Sequence, residues 1–457
     1  MDNIFFLSCI LPLALVLHWA IPWMKGKNAV LLLLSLVFYS FSGLTGLLLL
    51  LAAAAVNYLL GLALKTKFRK IAMILGVTLN VGFLCVFKYL DFILADVLGL
   101  AHLQPGLIAP LGISFFVFKC ISYLVDGCRD EKQVTRNFGK LLLYISFFPQ
   151  ITMGPITRFS EFGPQLEERT LSLDDTAKGL RRFAAGLGTK ILIAGTLASV
   201  ADGVFAMEAV DIRLAWVGAI AYCLQLYFDF SGYIDMVIGL GVAMGFTTRE
   251  NFNYPYIAST VGDFWRRWHM SLSAWFKDYL YIPLGGNRKG QLRAGINKCI
   301  VFLLCGLWHG AAWTFIIWGL WHGLFSLLES LNVIPAKRLQ KSRVLGHVYT
   351  LLVVCIGFVM FRAGTVAQGA QIIGAMFAGF KLTAAGTVAL HKLLNAETVL
   401  MLATGIVLSM PLSKKLLDSD FGELFEKLAY IGAIAVFALS LLKLAAGDFA
   451  PSIYAQF

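Results

Sequence analysis

Apolar runs long enough to cross a lipid bilayer recur from one end of this chain to the other. Residues 4–21, 44–64, 71–87, 214–227 with its continuation, 348–361 and 428–442 are of this kind. A spanning helix needs roughly 20 predominantly apolar residues. Several stretches are broken by Gly or Pro, and about 11 spans are expected in all. Composition points the same way. Hydrophobic residues make up 59% of the 457 and charged residues 14%, against about 25% charged in soluble domains. With a mean hydropathy of +0.77, the chain carries more apolar surface than one water-soluble core could bury. The expected fold class is an all-α polytopic membrane protein with additional re-entrant and interfacial helices.

Basic residues orient the spans. The sequence begins Met1-Asp2-Asn3, without a basic leader region, and no small-x-small cleavage site follows the first apolar run. That run reads as a first spanning helix rather than a cleaved signal peptide. Lys25 and Lys27 follow it, so the positive-inside rule puts the N-terminus outside the cytoplasm. Two further spans, split near Ser42-Gly43, return the chain to Lys65, Lys67, Arg69 and Lys70. Later basic clusters at Arg181-Arg182, 288–298, 337–343 and Lys414-Lys415 are assigned to the same side. The net charge of +12 therefore reflects topology and contact with anionic lipid head groups, not nucleic-acid binding. One cluster could hold an anionic donor such as coenzyme A. The eight cysteines form no C-x-x-C pair and no His/Cys cluster with zinc spacing, and read as small buried hydrophobes with no metal site.

The chain divides by character. Residues 1–109 are plain lipid-phase helices and serve as scaffold. Residues 110–330 interrupt their apolar runs with Gly, Pro and charge, as in Phe148-Pro-Gln and Met153-Gly-Pro-Ile-Thr-Arg. Non-helical backbone at membrane depth needs protein or a water-filled cavity around it, so this stretch is where the functional core is expected. Residues 331–457 return to ordinary spans. Within the core, 263–281 carries apolar residues at helical spacing with a Trp-rich face opposite basic residues. An interfacial helix is expected there, ending at Ile282-Pro-Leu-Gly-Gly-Asn-Arg.

Seven histidines are present. His18, His102, His347 and His391 sit near span ends or in loops and receive no role. His309 and His322 lie in a literal duplication, Gly306-Leu-Trp-His-Gly and Gly319-Leu-Trp-His-Gly. On one continuous helix their offset would separate them by roughly 140°. His309 follows Lys298 by about 16 Å of helix, near mid-bilayer in an upright segment. Ionisable groups at that depth are functional candidates by default. A neutral histidine satisfied by an interhelical hydrogen bond is the competing reading, and it weighs more heavily at His322. Asp229 and Asp235 demand partners or water. They either orient a histidine or pair structurally, with Arg158, Arg266 and Arg267 as candidate partners.

These residues fall in ordered motifs: Ala109-Pro-Leu-Gly-Ile-Ser-Phe-Phe; Phe147-Phe-Pro-Gln with Gly154-Pro-Ile; Phe228-Asp-Phe-Ser-Gly-Tyr with Asp235; Asn251-Phe-Asn-Tyr-Pro-Tyr; Phe264-Trp-Arg-Arg-Trp-His-Met-Ser-Leu-Ser; and Gly306-Leu-Trp-His-Gly. In this set the chain resembles the membrane-bound O-acyltransferases, in the bacterial branch typified by the alginate O-acetyltransferase membrane subunit. The likeness covers about half the chain. It implies a ring of helices around a thinned centre, with a tunnel meeting at a histidine. It puts the signature histidine on His309 and the second family histidine on His269, and nothing special on His322. Asp229, Asp235 and Trp308 are supporting candidates.

Acyl transfer from a thioester to a hydroxyl needs a base, and a neutral imidazole suits it. No Gly-x-Ser-x-Gly elbow is present, so no acyl-serine is expected. The resemblance implies no bound cofactor. The donor would be acetyl-CoA, or alternatively an acyl carrier protein thioester, with Arg266, Arg267 and Arg288 as candidates for its phosphates. The acceptor would be a cell-surface polysaccharide, as in exopolysaccharide or alginate biosynthesis, reached directly or through an extracytoplasmic acetyltransferase- or esterase-like partner protein. The expected home is the bacterial inner membrane. D-alanyl transfer to teichoic acid is the alternative within the family, and a transporter or channel the alternative outside it. Finally, basic flanks on both sides of 299–333 predict an uneven hairpin. Its first limb, 299–309, would span about 16 Å and turn near Gly310-Ala311-Ala312.

Overall fold

The structure is a computed structural model and describes residues 3–412 and 421–447. Lys414-Lys415 lies outside the described residues. Every regular element among them is helical. Among the described residues, six helices are long and apolar enough to cross a bilayer: Leu44–Ala63, Arg69–Lys88, Leu173–Phe205, Ile212–Ala243, Val344–Arg362 and Gly422–Ala445. Phe6–Ala20, Val366–Ala378 and Ala396–Leu408 are shorter apolar helices. The protein is thus an all-α, multi-pass membrane protein.

Compactness divides the chain into two units along lines that differ from the three-part reading of the sequence. The first comprises residues 1–180 and 237–249, the second 181–236 and 250–457.

In the first unit, α1 (Phe6–Ala20), α2 (Met24–Ser40), α3 (Leu44–Ala63) and α4 (Arg69–Lys88) follow one another. Gly43 makes the corner before α3 with φ +102, a conformation open to glycine and costly for other residues. It realises the split expected at Ser42-Gly43. Asn57 on α3 and Asn80 on α4 clamp the pair, with Asn80 Nδ2 donating to Asn57 Oδ1 at 2.8 Å. Such interhelical amide bonds are worth about 0.6–2 kcal/mol in lipid. Helices α5 (Ile113–Arg129), α6 (Phe138–Ser146) and α7 (Phe159–Glu167) complete the unit. The break at Phe147-Phe-Pro-Gln has a polar reason. Gln150 Oε1 accepts from the buried Lys119 Nζ (3.3 Å) and from Thr157 Oγ1 (2.9 Å). The same Lys119 Nζ reaches the Tyr144 carbonyl at 2.9 Å.

The second unit holds most of α8 (Leu173–Phe205) and α9 (Ile212–Ala243). These two cross at a pair of glycines. A Cβ on Gly186 would stand 2.5 Å from the Gly232 carbonyl oxygen, and one on Gly232 would stand 2.6 Å from that of Gly186. Gly232 belongs to Phe228-Asp-Phe-Ser-Gly-Tyr, so one requirement of that motif is close backbone approach. Short helices α10 (Val261–Arg267) and α11 (Met270–Phe276) follow, then α12 (Gly290–His309) and α13 (Trp313–Ser330) as a hairpin. Helix α14 (Arg343–Arg362) packs beside α13, and α15 (Val366–Ala378), α16 (Ala384–Leu393), α17 (Ala396–Leu408) and α18 (Gly422–Ala445) follow among the described residues.

Three local expectations change. The interfacial helix over 263–281 is broken at Trp268-His269 into α10 and α11. The hairpin turns where expected, at 310–312, yet its first limb starts at Gly290 and has 20 residues, about 30 Å rather than 16 Å. The polar residues 290–298 are helical, which the apolar pattern could not indicate. The duplicated Gly-Leu-Trp-His-Gly also has a packing role. Gly306 and Gly319 face each other across the hairpin: a Cβ on the first would meet the Phe315 carbonyl at 2.3 Å, and on the second the Phe302 carbonyl at 2.4 Å. His309 and His322 consequently sit on two different helices.

Candidate active site

His269 occupies the break between α10 and α11 in the left-handed region, φ +45 and ψ +56. A non-glycine residue there costs roughly 1–2 kcal/mol, so the surroundings must hold it. They do so through Asn251. Its carbonyl accepts from Met270 N (2.9 Å), and its Oδ1 accepts from Ser271 N (2.9 Å) and lies 3.3 Å from His269 Nδ1. Two residues on, Asn253 N donates to the Arg267 carbonyl at 2.9 Å. The Asn-Phe-Asn-Tyr-Pro-Tyr segment is therefore the clip that closes the break. Because a backbone N–H fixes Oδ1 as an acceptor, His269 must donate through Nδ1. Its Nε2 is left as a lone pair, buried and without a hydrogen-bond partner among the described residues. Burial holds the imidazole at about 3, far below its ordinary value, so it is neutral throughout the physiological range.

Aromatic packing joins four of the sequence motifs here. The His269 ring meets Phe230 edge-on at 4.7 Å, and Phe252 touches both Phe230 and Trp268 at 5.1 Å. Trp308 stands between the two family histidines, 6.2 Å from His269 and 4.9 Å from His309. His309 is the last residue of α12 and is buried. Trp318 of α13 and Phe361 of α14 each meet its ring at 5.1 Å. These two walls were not visible in the sequence, because the hairpin and α14 bring them in from a distance. His322 is fully buried against Trp265 (5.0 Å) and Trp318 (5.2 Å).

A cavity of about 210 Å3 lies beside His269, lined among others by Trp265, Arg266, Ser273, Lys277 and Phe302. Of the three arginines expected to hold a donor, only Arg266 lines it. Arg267 pairs with Asp263 at 3.0 Å and donates to the Asn253 carbonyl at 3.2 Å, and so braces the clip. Arg288 is not part of the lining. Lys277 supplies the second cation, one turn beyond Ser273, and in the sequence it is one of the basic residues of 263–281.

The two acids have partners other than those expected. Asp229 pairs with Lys190 of α8, both buried, through the glycine crossing of α8 and α9. Asp235 accepts from Arg182 at 2.7 Å, and the same guanidinium reaches Glu250 at 2.6 Å. Arg266 and Arg267 instead pair with Asp263. Since Glu250 directly precedes Asn251, the Asp235–Arg182–Glu250 chain anchors the start of the clip. Its members are partly exposed, so its energetic contribution is modest.

Two buried histidines, an aromatic cavity with two cations in its wall and a multi-pass helical scaffold are what an enzyme working within a membrane needs. The comparisons agree and are more specific. The chain belongs to the membrane-bound O-acyltransferase family, whose sequence model matches residues 113–364. It is 37% identical to the "Probable alginate O-acetylase" of Pseudomonas putida over 99% of both chains. It is 39% identical to the peptidoglycan O-acetyltransferase of Helicobacter pylori over 62% of this chain and 61% of that one. Identity to the teichoic acid D-alanyltransferase of Bacillus subtilis is 30%, over 57% of this chain and 72% of that one. The protein is an O-acyltransferase.

Proposed function

We propose that this protein moves an acetyl group from a cytoplasmic thioester to a hydroxyl of a cell-surface polysaccharide, directly or through an extracytoplasmic partner protein. Acetyl-CoA is the favoured donor and an acylated carrier protein the second. The observation that carries the reading is the cavity. It joins an apolar aromatic wall, two cations suited to a donor's phosphates and a neutral histidine with an unpartnered lone pair. The acetyl rather than the D-alanyl reading rests on the extent of the likeness, 99% of the chain against 57%.

His309 acts as the general base. Its imidazole takes the acceptor's hydroxyl proton as the oxygen attacks the thioester carbonyl. The C–S bond breaks, and the thiolate leaves and is protonated to the free thiol. His269, held by Asn251, presents Nε2 as an acceptor beside the donor cavity and positions the reacting groups. Trp308 keeps the two imidazoles in one packed array. The protein sits in the bacterial inner membrane with its N-terminus outside. Donor and acceptor approach from opposite faces, so the acetyl group crosses while the donor stays in the cytoplasm.

The experiment is mass analysis of surface glycans from cells with and without the protein. Loss of O-acetyl groups, restored by the wild-type gene and not by His309→Ala, is the expected result. Unchanged acetylation with loss of D-alanyl esters would shift the reading to the alternative.

A further inference from the structure

Two cationic groups, Lys27 and Arg169, meet the buried His18 in the first unit, with no acid among the described residues to balance them. His18 of α1 is fully buried, and Lys27 of α2 and Arg169, between α7 and α8, are each 9% exposed. The Met244 carbonyl accepts from both His18 Nε2 (3.1 Å) and Arg169 Nε (3.2 Å). Arg169 Nη1 donates to Asn28 Oδ1 at 2.8 Å and to the Gln165 carbonyl at 3.0 Å. Arg169 Nη2 and His18 Nδ1 are buried with no partner among the described residues. Arg169 and Lys27 both act electrostatically on His18, and Arg169 on Lys27, while no carboxylate among the described residues acts on any of the three. Neighbouring acids are engaged elsewhere: Glu161 with Arg249 and Glu167 with Lys140. Burial lowers the Arg169 guanidinium only to about 10, so it remains charged.

An uncompensated buried charge is costly, and two close cations more so. A bound anion removes that cost. We propose that Lys27 and Arg169, packed beside His18, form a phosphate site that takes the head group of an anionic phospholipid. The observation favouring lipid over free phosphate is the surroundings. Trp19, next to His18 in the chain, and Trp23, four residues before Lys27, are exposed at 36% and 62%, as interfacial tryptophans are at head-group level, and basic pockets between spanning helices are a known setting for lipid phosphates. The site lies in the unit that lacks both family histidines, so it stands apart from the acyl-transfer reading.

The test is thermal unfolding of the delipidated full chain in detergent, with added phosphatidylglycerol, phosphatidylcholine or inorganic phosphate. Phosphatidylglycerol should raise Tm saturably, and the other two should not. Lys27→Met removes a charge that makes no hydrogen bond. It should weaken half-saturation roughly tenfold or more and raise the Tm of the lipid-free protein by relieving repulsion. Arg169→Gln should abolish the response. If that variant does not fold, Lys27→Met alone decides. An equal rise with inorganic phosphate would overturn the lipid assignment. No phosphatidylglycerol-specific rise, or an unchanged half-saturation in Lys27→Met, would overturn the site.

Discussion

Removing the Asn251 side chain isolates what the clip contributes to catalysis. Asn251→Ala deletes two hydrogen bonds at once, to Ser271 N and to His269 Nδ1. Each is worth about 1 kcal/mol net, and an orphaned buried N–H costs about 1–3 kcal/mol. His269 meanwhile retains a backbone strain of roughly 1–2 kcal/mol. The loss, about 2–4 kcal/mol, exceeds that strain, so the left-handed conformer ceases to dominate and the imidazole leaves its position. At about 1.4 kcal/mol per tenfold, kcat should fall by roughly 30-fold or more, while donor KM changes little because Arg266 and Lys277 are untouched. Asn251→Asp is the control. It keeps an acceptor for both donors and adds a negative charge beside the ring, which raises the His269 pKa. If neutral His269 is required, activity is lost as pH falls through that pKa. With the wild-type imidazole near 3, His269 sets no acid limb near neutrality, and the Asp variant should lose activity at higher pH than wild type. Stopped-assay pH profiles on purified protein measure this. Wild-type kcat in a correctly folded Asn251→Ala variant would refute the reasoning.

Other expectations follow from the same geometry. His309→Ala should abolish transfer with the protein still folded and inserted, whereas His322→Ala should keep most activity; equal losses would mean that the duplicated motifs share the role. Arg266→Gln and Lys277→Gln should raise donor KM several-fold with smaller changes in kcat, whereas Arg267→Gln should lower kcat because it braces Asn253, and a steady-state titration of the donor separates the two patterns. Gly232→Ala puts a methyl 2.6 Å from the Gly186 carbonyl oxygen and should destabilise by about 1–3 kcal/mol, read as a lowered Tm. Accessibility tags after Lys70 and at Lys289 should both report the cytoplasm, and labelling of either from outside intact cells would reverse the orientation.

The spans were legible because each is a local property of composition, and all six long apolar runs are helices or parts of them. The motifs single out His309, His269 and Trp308, and the structure packs the three rings together. What the sequence hid depends on distant contacts. Nothing local says that Lys190 faces Asp229 or that Arg182 faces Asp235. Those pairings arise from the glycine crossing of α8 and α9. The break at His269 was hidden for the opposite reason. Its neighbours keep good helical periodicity, and only the Asn251 clip, arriving from outside the segment, makes the left-handed turn affordable. Trp318 and Phe361, two walls of the His309 site, looked like ordinary apolar stripes.

The central claim is covalent acyl transfer inside the membrane at His309. The direct measurement uses purified protein in proteoliposomes, acetyl-labelled acetyl-CoA on the cytoplasmic side and a polysaccharide acceptor, with its partner protein where required, on the other. The account predicts label esterified to the acceptor, one free thiol released per ester formed, and neither product with His309→Ala. Label crossing as intact donor or free acetate, with no ester formed and no dependence on His309, would contradict it.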